Sequence, residues 1–311
     1  MNPELSIIIP VYNEEKNLPE LYKQLSKVAN SISENYELVF INDGSKDDTL
    51  SVLKKYSENP RVRYISFSRN FGHQIAVSAG LNYCKGRAVV IIDADLQDPP
   101  ELIKDLYLKM NEGYDVVYAK RKSRQGEGFM KKLTAKIFYR ILSKITSINI
   151  PLDTGDFRII SRKVVSVLNK MPEQHKFLRG QISWVGFKQT YVEYDRAERI
   201  AGETGYTYRK MIRFALDGIT SFSNFPLKFA TVTGFIFSIF SFFLMLYTLY
   251  SRFISRIYQP GWASLMITIL FIGGIQLIGI GIIGEYISRL SDNVRNRPLY
   301  IINETNVEET L

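Results

Sequence analysis

The chain opens as alternating blocks of apolar and polar sequence. Leu5 to Val11 is an almost unbroken apolar run, the pattern of a strand buried on both faces. Behind it Leu18, Leu21, Leu25 and Val28 step by three and four, which predicts a helix with Asn13 as its cap. Tyr36 to Ile41 repeats the strand pattern and ends in Asn42-Asp43-Gly44-Ser45, a turn sequence that also presents a carboxylate. Helix Asp47 to Ser57, strand Arg61 to Phe67, helix His73 to Cys84 and strand Ala88 to Ile92 follow, then helix Pro100 to Asn111 and strand Asp115 to Ala119. Strands alternating with helices through short connections predict an α/β fold with a mostly parallel, Rossmann-like sheet.

The pattern changes in the C-terminal third. Phe229 to Tyr250 is 22 residues without a charge, and Pro260 to Gly284 is 25 more. At about 1.5 Å per helical residue, each run can cross a hydrocarbon core of roughly 30 Å. Both are apolar on every face, which favours a two-helix transmembrane hairpin over a buried helix pair in a soluble domain. Gly273, Gly274, Gly279, Gly281 and Gly284 suit close helix packing in lipid, and Tyr247, Tyr250, Tyr258 and Trp262 suit interfacial anchors. Ahead of the first run, Tyr208, Met211, Ile212, Ala215, Ile219 and Phe222 share a helical face opposite Arg209, Lys210 and Arg213, which predicts an amphipathic interfacial helix.

The flanks predict an orientation. Arg209, Lys210, Arg213 and Lys228 precede the first run and Arg289, Arg295 and Arg297 follow the second, whereas the loop between holds only Arg252 and Arg256. The positive-inside bias then puts both termini in the cytoplasm of a multi-pass protein of the inner (plasma) membrane. Met1 to Glu15 lacks a basic start and a cleavage site, and reads as a first strand instead of a signal peptide. The expected division is a cytoplasmic catalytic domain over residues 1–205, the juxtamembrane helix over 206–228, two spans at 229–250 and 260–284, and a cytoplasmic tail over 285–311.

Composition narrows the partners. A net charge of +9 over 311 residues suits nucleic acid, an anionic membrane or phosphorylated substrates. No nucleic-acid-reading motif is present and the basic residues are dispersed, so nucleic acid is not an expected partner. Cys84 is the only cysteine, which excludes an intrachain disulfide and fits a reducing compartment.

The chemistry concentrates in Ile91-Ile92-Asp93-Ala94-Asp95-Leu96-Gln97-Asp98-Pro99-Pro100. A buried strand that stops on Asp-x-Asp delivers two carboxylates to the C-terminal edge of the sheet, where α/β folds bind ligands. Hard oxygen donors at that spacing suit Mg²⁺ or Mn²⁺ bridging one or two carboxylates to a substrate diphosphate. An isolated Asp-x-Asp is more often an acidic surface turn. Here Glu14, Asp43, Asp93 and Asp95 all fall at strand ends on one edge, which outlines a nucleotide and metal site.

Ile9-Pro10-Val11-Tyr12-Asn13-Glu14, Asn42-Asp43-Gly44-Ser45, Arg69-Asn70-Phe71-Gly72, Asp93-Ala94-Asp95-Leu96-Gln97-Asp98 and Gly155-Asp156-Phe157-Arg158 occur in that order. Together they resemble the inverting family 2 glycosyltransferases of the GT-A fold, and among these the polyprenyl-phosphate glycosyltransferases, especially the bactoprenol glucosyltransferases. The resemblance runs nearly the whole length, through Arg199, Asp217-Gly218-Ile219-Thr220-Ser221-Phe222 and the two-span tail ending Gly284-Glu285-Tyr286. It implies transfer of a hexose from a UDP-sugar to undecaprenyl phosphate at the cytoplasmic leaflet, giving a polyprenyl-phosphate sugar for modification of cell-envelope glycans. Glucose is the first expected donor sugar, N-acetylglucosamine the second, with mannose and aminoarabinose further off.

The resemblance also implies roles for single residues. Pro10, Tyr12, Glu14 and Asp43 would hold uridine and ribose, with Asp93 and Ala94 against the nucleotide-sugar. Asp95 and Gln97 would hold the metal, Mg²⁺ or Mn²⁺. Arg121 would face phosphate, and Asp156 would serve as general base, with Arg158 as a structural partner in the rival reading. Arg199 and Arg209 would meet the acceptor phosphate. His73 reads more readily as a helix-start residue than as a donor contact. Self-association is compatible with the glycine-bearing spans.

Rival classes fit less well. A processive polysaccharide synthase carries Gln-x-x-Arg-Trp and more spans, and Gln181-Ile182-Ser183-Trp184 lacks that arginine. A non-catalytic nucleotide-sugar-binding membrane protein would not need the metal pair, Arg121 and Asp156 together. A channel or transporter is disfavoured because neither span carries an internal charge.

Overall fold

A computed structural model of the chain describes residues 2–122, 154–195, 223–250, 254 and 261–307. The N-terminal elements run β1 (Leu5–Val11), α1 (Leu18–Ile32), β2 (Tyr36–Asn42), α2 (Thr49–Tyr56), β3 (Val62–Phe67), α3 (His73–Tyr83), β4 (Ala88–Ile91), α4 (Leu102–Asn111) and β5 (Val116–Arg121). Each strand, and each helix after the first, matches an expected element to within two residues at either end; α1 runs four residues past Val28, the last of its expected apolar positions. Then come β6 (Thr154–Ser161), α5 (Arg162–Leu168), α6 (Leu178–Trp184) and β7 (Gln189–Tyr194), and last α7 (Phe225–Tyr250), α8 (Trp262–Arg295) and β8 (Ile302–Thr305).

The strands form one sheet in the order β7-β5-β6-β4-β1-β2-β3-β8. β1 lies near its middle, parallel to β2 on one side and β4 on the other, and all seven of its residues are buried. Helices cover both faces, so the alternating side chains of β1 feed two cores. Ile7 and Ile9 join the cluster under α1 and α4, and Ile8 joins the one under α3. α3 lies so close to β1 that a Cβ at Gly80 would meet Ile8 Cγ2 at 2.3 Å. A larger residue at Gly80 would force the helix off the sheet.

Two details depart from expectation. Asn13 does not cap α1; Asn17 occupies the position before the helix, with Pro19 in its first turn. Asn13 instead takes φ +56°, accepts the Lys46 N–H at 2.8 Å and donates its own N–H to Ser45 Oγ at 2.9 Å. It thereby ties the loop after β1 to the loop after β2. The second is a strand that the sequence pattern did not announce, within a sheet that is mostly parallel as expected. β6 inserts antiparallel between β4 and β5, while β7 adds to β5 in parallel. β6 carries Asp156 and a fully buried Arg158, charges that mask it as a strand.

α7 and α8 are each long and apolar enough to cross a membrane, and their apolar side chains are exposed, as at Phe235, Leu277 and Ile278. Phe237 and Phe271 meet across the pair with ring centroids 5.6 Å apart. α8 has 34 residues, about 51 Å at 1.5 Å each, well beyond a hydrocarbon core. It ends at Arg295, past the expected end at Gly284, and the extension docks on the α/β domain. Tyr286 Oη donates to the Ser223 carbonyl at 2.6 Å, Asp292 lies 3.2 Å from His175, and Asn293 Oδ1 accepts the Gln174 N–H at 2.9 Å.

The stretch expected as a tail is therefore not a free one in its described part. Asn296, at φ +46°, ends α8. Tyr300 then stacks on Phe67, and β8 pairs antiparallel with β3. Asn306 accepts the Tyr64 N–H at 2.7 Å and donates to the Val62 carbonyl at 3.0 Å. A four-residue edge strand held by asparagine side chains leaves little hydrophobic period to read. Of the expected juxtamembrane helix over 206–228, residues 206–222 lie outside the described residues, as do Arg199 and Arg209, and from Phe225 the chain already belongs to α7.

Candidate active site

The parallel strands β1, β2 and β4 all end on one edge, and their loops wall a cleft of about 310 Å³. Pro10, Tyr12, Glu14, Asp43, Asp93, Ala94 and Asp95 line it together, as expected of a nucleotide site. So do Asn70, Gly72 and His73 from the loop and first turn of α3, of which the first two carry the family resemblance without an assigned role. Tyr12 is 42% exposed at the mouth, free to offer a ring face.

Asp43 does more than line the cleft. It is buried, and its two oxygens accept the backbone N–H groups of Phe71 at 2.7 Å and Gly72 at 2.9 Å. Burial raises its pKa, against the lowering effect of those two bonds. Gly44 beside it takes φ +68°, and a Cβ there would strike the Arg69 backbone at 2.4 Å. The Asn-Asp-Gly sequence thus pins the loop that delivers His73 to the cleft.

The inner wall is a charge cluster from four elements. His73 Nε2, on α3, lies 3.3 Å from Asp156 Oδ2 on β6 and 3.5 Å from Asp93 Oδ1 at the end of β4. Arg179 Nε, on α6, donates to Asp156 Oδ1 at 2.9 Å. Arg158 donates to the Gly155 carbonyl at 2.6 Å and the Asp156 carbonyl at 3.1 Å, and its Nη2 sits 3.4 Å from Asp156 Oδ1. Both partners from the rival readings of Asp156 and His73 are therefore in one place.

The electrostatics follow from these contacts. Burial works to raise the Asp156 pKa, but Arg179 and then His73 outweigh it and hold the carboxyl well below its usual range. Burial works against a charged His73, and Asp93 and Asp156 more than offset it, so its pKa rises. Asp93 moves the other way from Asp156. Burial pushes its pKa up against the pull of His73, and the neighbouring carboxylates Asp156, Asp98 and Asp95 add to the rise.

The turn after β4 presents the expected metal ligands. Leu96 takes φ +56°, and the Gln97 N–H closes onto Asp95 Oδ1 at 3.1 Å. Asp95 lines the cleft, whereas Gln97 is buried and is not among the residues that line it. Among the described residues no three His, Cys, Asp or Glu side chains gather as a self-sufficient metal cage. The donor set still fits a hard cation that takes its remaining ligands from a diphosphate, because Mg²⁺ commonly uses only one or two carboxylates. Asp93 Oδ1, buried and accepting no hydrogen bond, adds negative charge beside that position.

Arg121 stands apart from the cleft lining. Its Nε donates to Tyr194 Oη at 3.4 Å, and Tyr194 in turn donates to Asp98 in a short hydrogen bond. A Cβ at Gly155 would come within 3.1 Å of Arg121 Nη2, so the guanidinium passes beside the strand that carries Asp156. Tyr194, Asp98 and Arg179 belong to these networks without a role assigned to them from the sequence, and His73, read there as a helix start in preference to a donor contact, joins them. Only Asp98 and His73 had a signal, as neighbours of the Asp-x-Asp and Arg-Asn-Phe-Gly stretches.

The chain is similar to known proteins along most of its length. Residues 6–168 match the family described as glycosyl transferase family 2. An uncharacterized glycosyltransferase, YkcC, of Bacillus subtilis (strain 168) is 51% identical over 97% of this chain and 94% of its own length. A prophage bactoprenol glucosyl transferase homolog of Escherichia coli (strain K12) is 44% identical over 96% of this chain and 98% of its own. A crystal structure of glucosyl-3-phosphoglycerate synthase from Mycobacterium tuberculosis, with Mn²⁺, UDP and phosphoglyceric acid, covers 70% of this chain and 78% of that one at 18% identity and a TM-score of 0.48.

Proposed function

Because the chain belongs to glycosyltransferase family 2, we propose that it transfers a hexose, glucose first, from a UDP-sugar to undecaprenyl phosphate with inversion, at the cytoplasmic leaflet of the plasma membrane. The observation that carries this reading is the joint occurrence of a strand-end carboxylate cleft and two exposed apolar helices in one chain. A soluble acceptor would need no such helices. The relative named for bactoprenol glucosyl transfer, similar over nearly the full length of both chains, supports the lipid acceptor and glucose.

In this reading Tyr12 stacks on the uracil, and Pro10, Glu14, Asp43 and Ala94 shape the nucleoside pocket. Asp95 and Gln97 would hold Mg²⁺ or Mn²⁺, which when bound neutralises charge on the departing diphosphate. Asp93 lines the donor side, and Arg121 offers its fork to phosphate. The acceptor is a phosphate monoester with a second pKa near about 6, so it reaches the site largely ionised at neutral pH. Its oxygen attacks the anomeric carbon in line. The new carbon–oxygen bond forms as the bond to the β-phosphate oxygen breaks, and UDP departs with that electron pair. Asp156 orients the incoming oxygen at the inner wall, while Arg199 and Arg209 draw the lipid phosphate in.

The topology follows the same reading. The start of α7 meets α8 through Ser223 and Tyr286, and the far end of α8 meets the α/β domain through Asp292 and His175, so a hairpin spanning the bilayer keeps them on one side. Purified protein in lipid nanodiscs should release UDP from UDP-glucose only when undecaprenyl phosphate is present. Release that ignores the lipid would overturn the acceptor, and faster release from UDP-N-acetylglucosamine would replace the donor. Reporter fusions at Leu311 and within the loop 251–259 should report opposite compartments.

A further inference from the structure

We propose that His73 and Arg179 are positioning residues for the transfer, clamping the Asp156 carboxylate from two sides at the inner wall of the cleft. The proposal rests on the cleft being the transfer site. Arg179 Nε takes one carboxylate oxygen at 2.9 Å and His73 Nε2 faces the other at 3.3 Å. The three residues come from α6, α3 and β6, so no local sequence constraint brings them together. α3 and α6 are themselves joined, since the Leu178 N–H donates to Gln74 Oε1 at 3.2 Å. Arg158 braces the backbone beneath by binding the Gly155 and Asp156 carbonyls.

A carboxylate with a cation on each oxygen is a fixed point and a poor proton acceptor. That arrangement suits orientation better than general base catalysis, and an ionised phosphate acceptor needs little of the latter. His73 extends the clamp further. Its Nε2 also lies 3.5 Å from Asp93 in the donor cleft, and its side chain, 41% exposed, lines that cleft. It therefore links the carboxylate expected to face the nucleophile with one lining the donor side. A plain ion pair that only holds β6 against α3 would stabilise the fold and leave this registration irrelevant to rate.

The test is a double-mutant cycle on the full-length protein in nanodiscs, read as UDP release with undecaprenyl phosphate. His73→Ala should lower kcat by about 10²-fold, the scale of a misplacement of about 1 Å in a reacting pair, with donor KM changed by less than about threefold. His73→Gln, which keeps one N–H, should recover most of that loss, and Arg179→Lys should fall between. In an Asp156→Asn background His73→Ala should cost less than about threefold, because residues acting through one group are not additive. An unchanged kcat, a change in donor KM alone, or full additivity would overturn the clamp. Crystal structures of the wild-type and His73→Ala proteins give an activity-independent reading. The Asp156 carboxylate should leave its place beside Arg179, and an unmoved carboxylate would refute the proposal. Wild-type protein that releases no UDP with the lipid sinks the acceptor reading alone, and the pair of structures still decides the clamp.

Discussion

Two clusters of buried charge sit at opposite ends of the same sheet, and they are built on different terms. At the N-terminal edge Glu37 is 2% exposed and accepts Ser6 Oγ at 2.6 Å and the Lys85 N–H at 2.5 Å, with Arg63 at 3.1 Å. Ser6 Oγ in turn accepts the Gly86 N–H, and none of these residues lines the cleft at the other edge. At the C-terminal edge the Asp93, Asp156, His73 and Arg179 cluster opens onto a cavity, and two of its carboxylates shift their pKa values in opposite directions. Buried charge tied to neighbouring strands and loops away from the cleft fastens the fold. Buried charge that splits titration behaviour beside a cavity is a candidate for chemistry.

That contrast can be broken experimentally, beginning at the C-terminal edge. Losing the metal should have the largest effect. Asp95→Asn removes a ligand and a charge where a metal supplies several kcal/mol to a transition state. At about 1.4 kcal/mol per tenfold, turnover should fall at least about a hundredfold. Chelation with EDTA should abolish wild-type turnover, and Mg²⁺ or Mn²⁺ should restore it. Full activity in EDTA would remove the metal from the account. Next, Asp156→Asn should lower kcat at least as far as His73→Ala does, about a hundredfold, the scale of a misplaced reacting group, while calorimetry finds UDP bound as before.

The N-terminal edge should behave in the opposite way. Glu37→Ala leaves the Ser6 hydroxyl and the Lys85 N–H without their acceptor, which should cost about 2–3 kcal/mol of stability by thermal or denaturant unfolding. Its kcat at a permissive temperature should match wild type. A rate loss without a stability loss would show that the two clusters are not separable. The smallest effect belongs to the tail. Asn306→Ala gives up its side-chain bonds to Tyr64 and Val62, worth about 1 kcal/mol on a half-exposed edge, with transfer unchanged.

How much of this was legible follows from where regular pattern meets charge. β1, β2 and β4 announce themselves because a sheet covered on both faces needs continuous apolar strands. The acidic residues that stop them therefore fall on one edge by necessity, and the structure gathers Glu14, Asp43, Asp93 and Asp95 in one cleft. β6 was invisible because Arg158 and Asp156 interrupt its apolar run, and their burial depends on partners far away in sequence. His73 looked like a helix start, which it is; its second identity comes from Asp156 and Arg179, and no spacing rule encodes that. Asp43 was legible as a site residue but not as the anchor of the Phe71–Gly72 backbone, since its hydrogen-bond partners appear only on folding.

The central claim is that the cleft moves a sugar onto a lipid phosphate, and one measurement addresses it directly. Radiolabelled UDP-glucose is incubated with undecaprenyl phosphate and either the wild-type protein or Asp95→Asn in nanodiscs, and the organic phase is extracted and weighed by mass spectrometry. Label should enter the organic phase as polyprenyl-phosphate hexose with the wild-type protein and be nearly absent with Asp95→Asn. Label that stays in water with both proteins, or passes equally into lipid with both, would contradict the account.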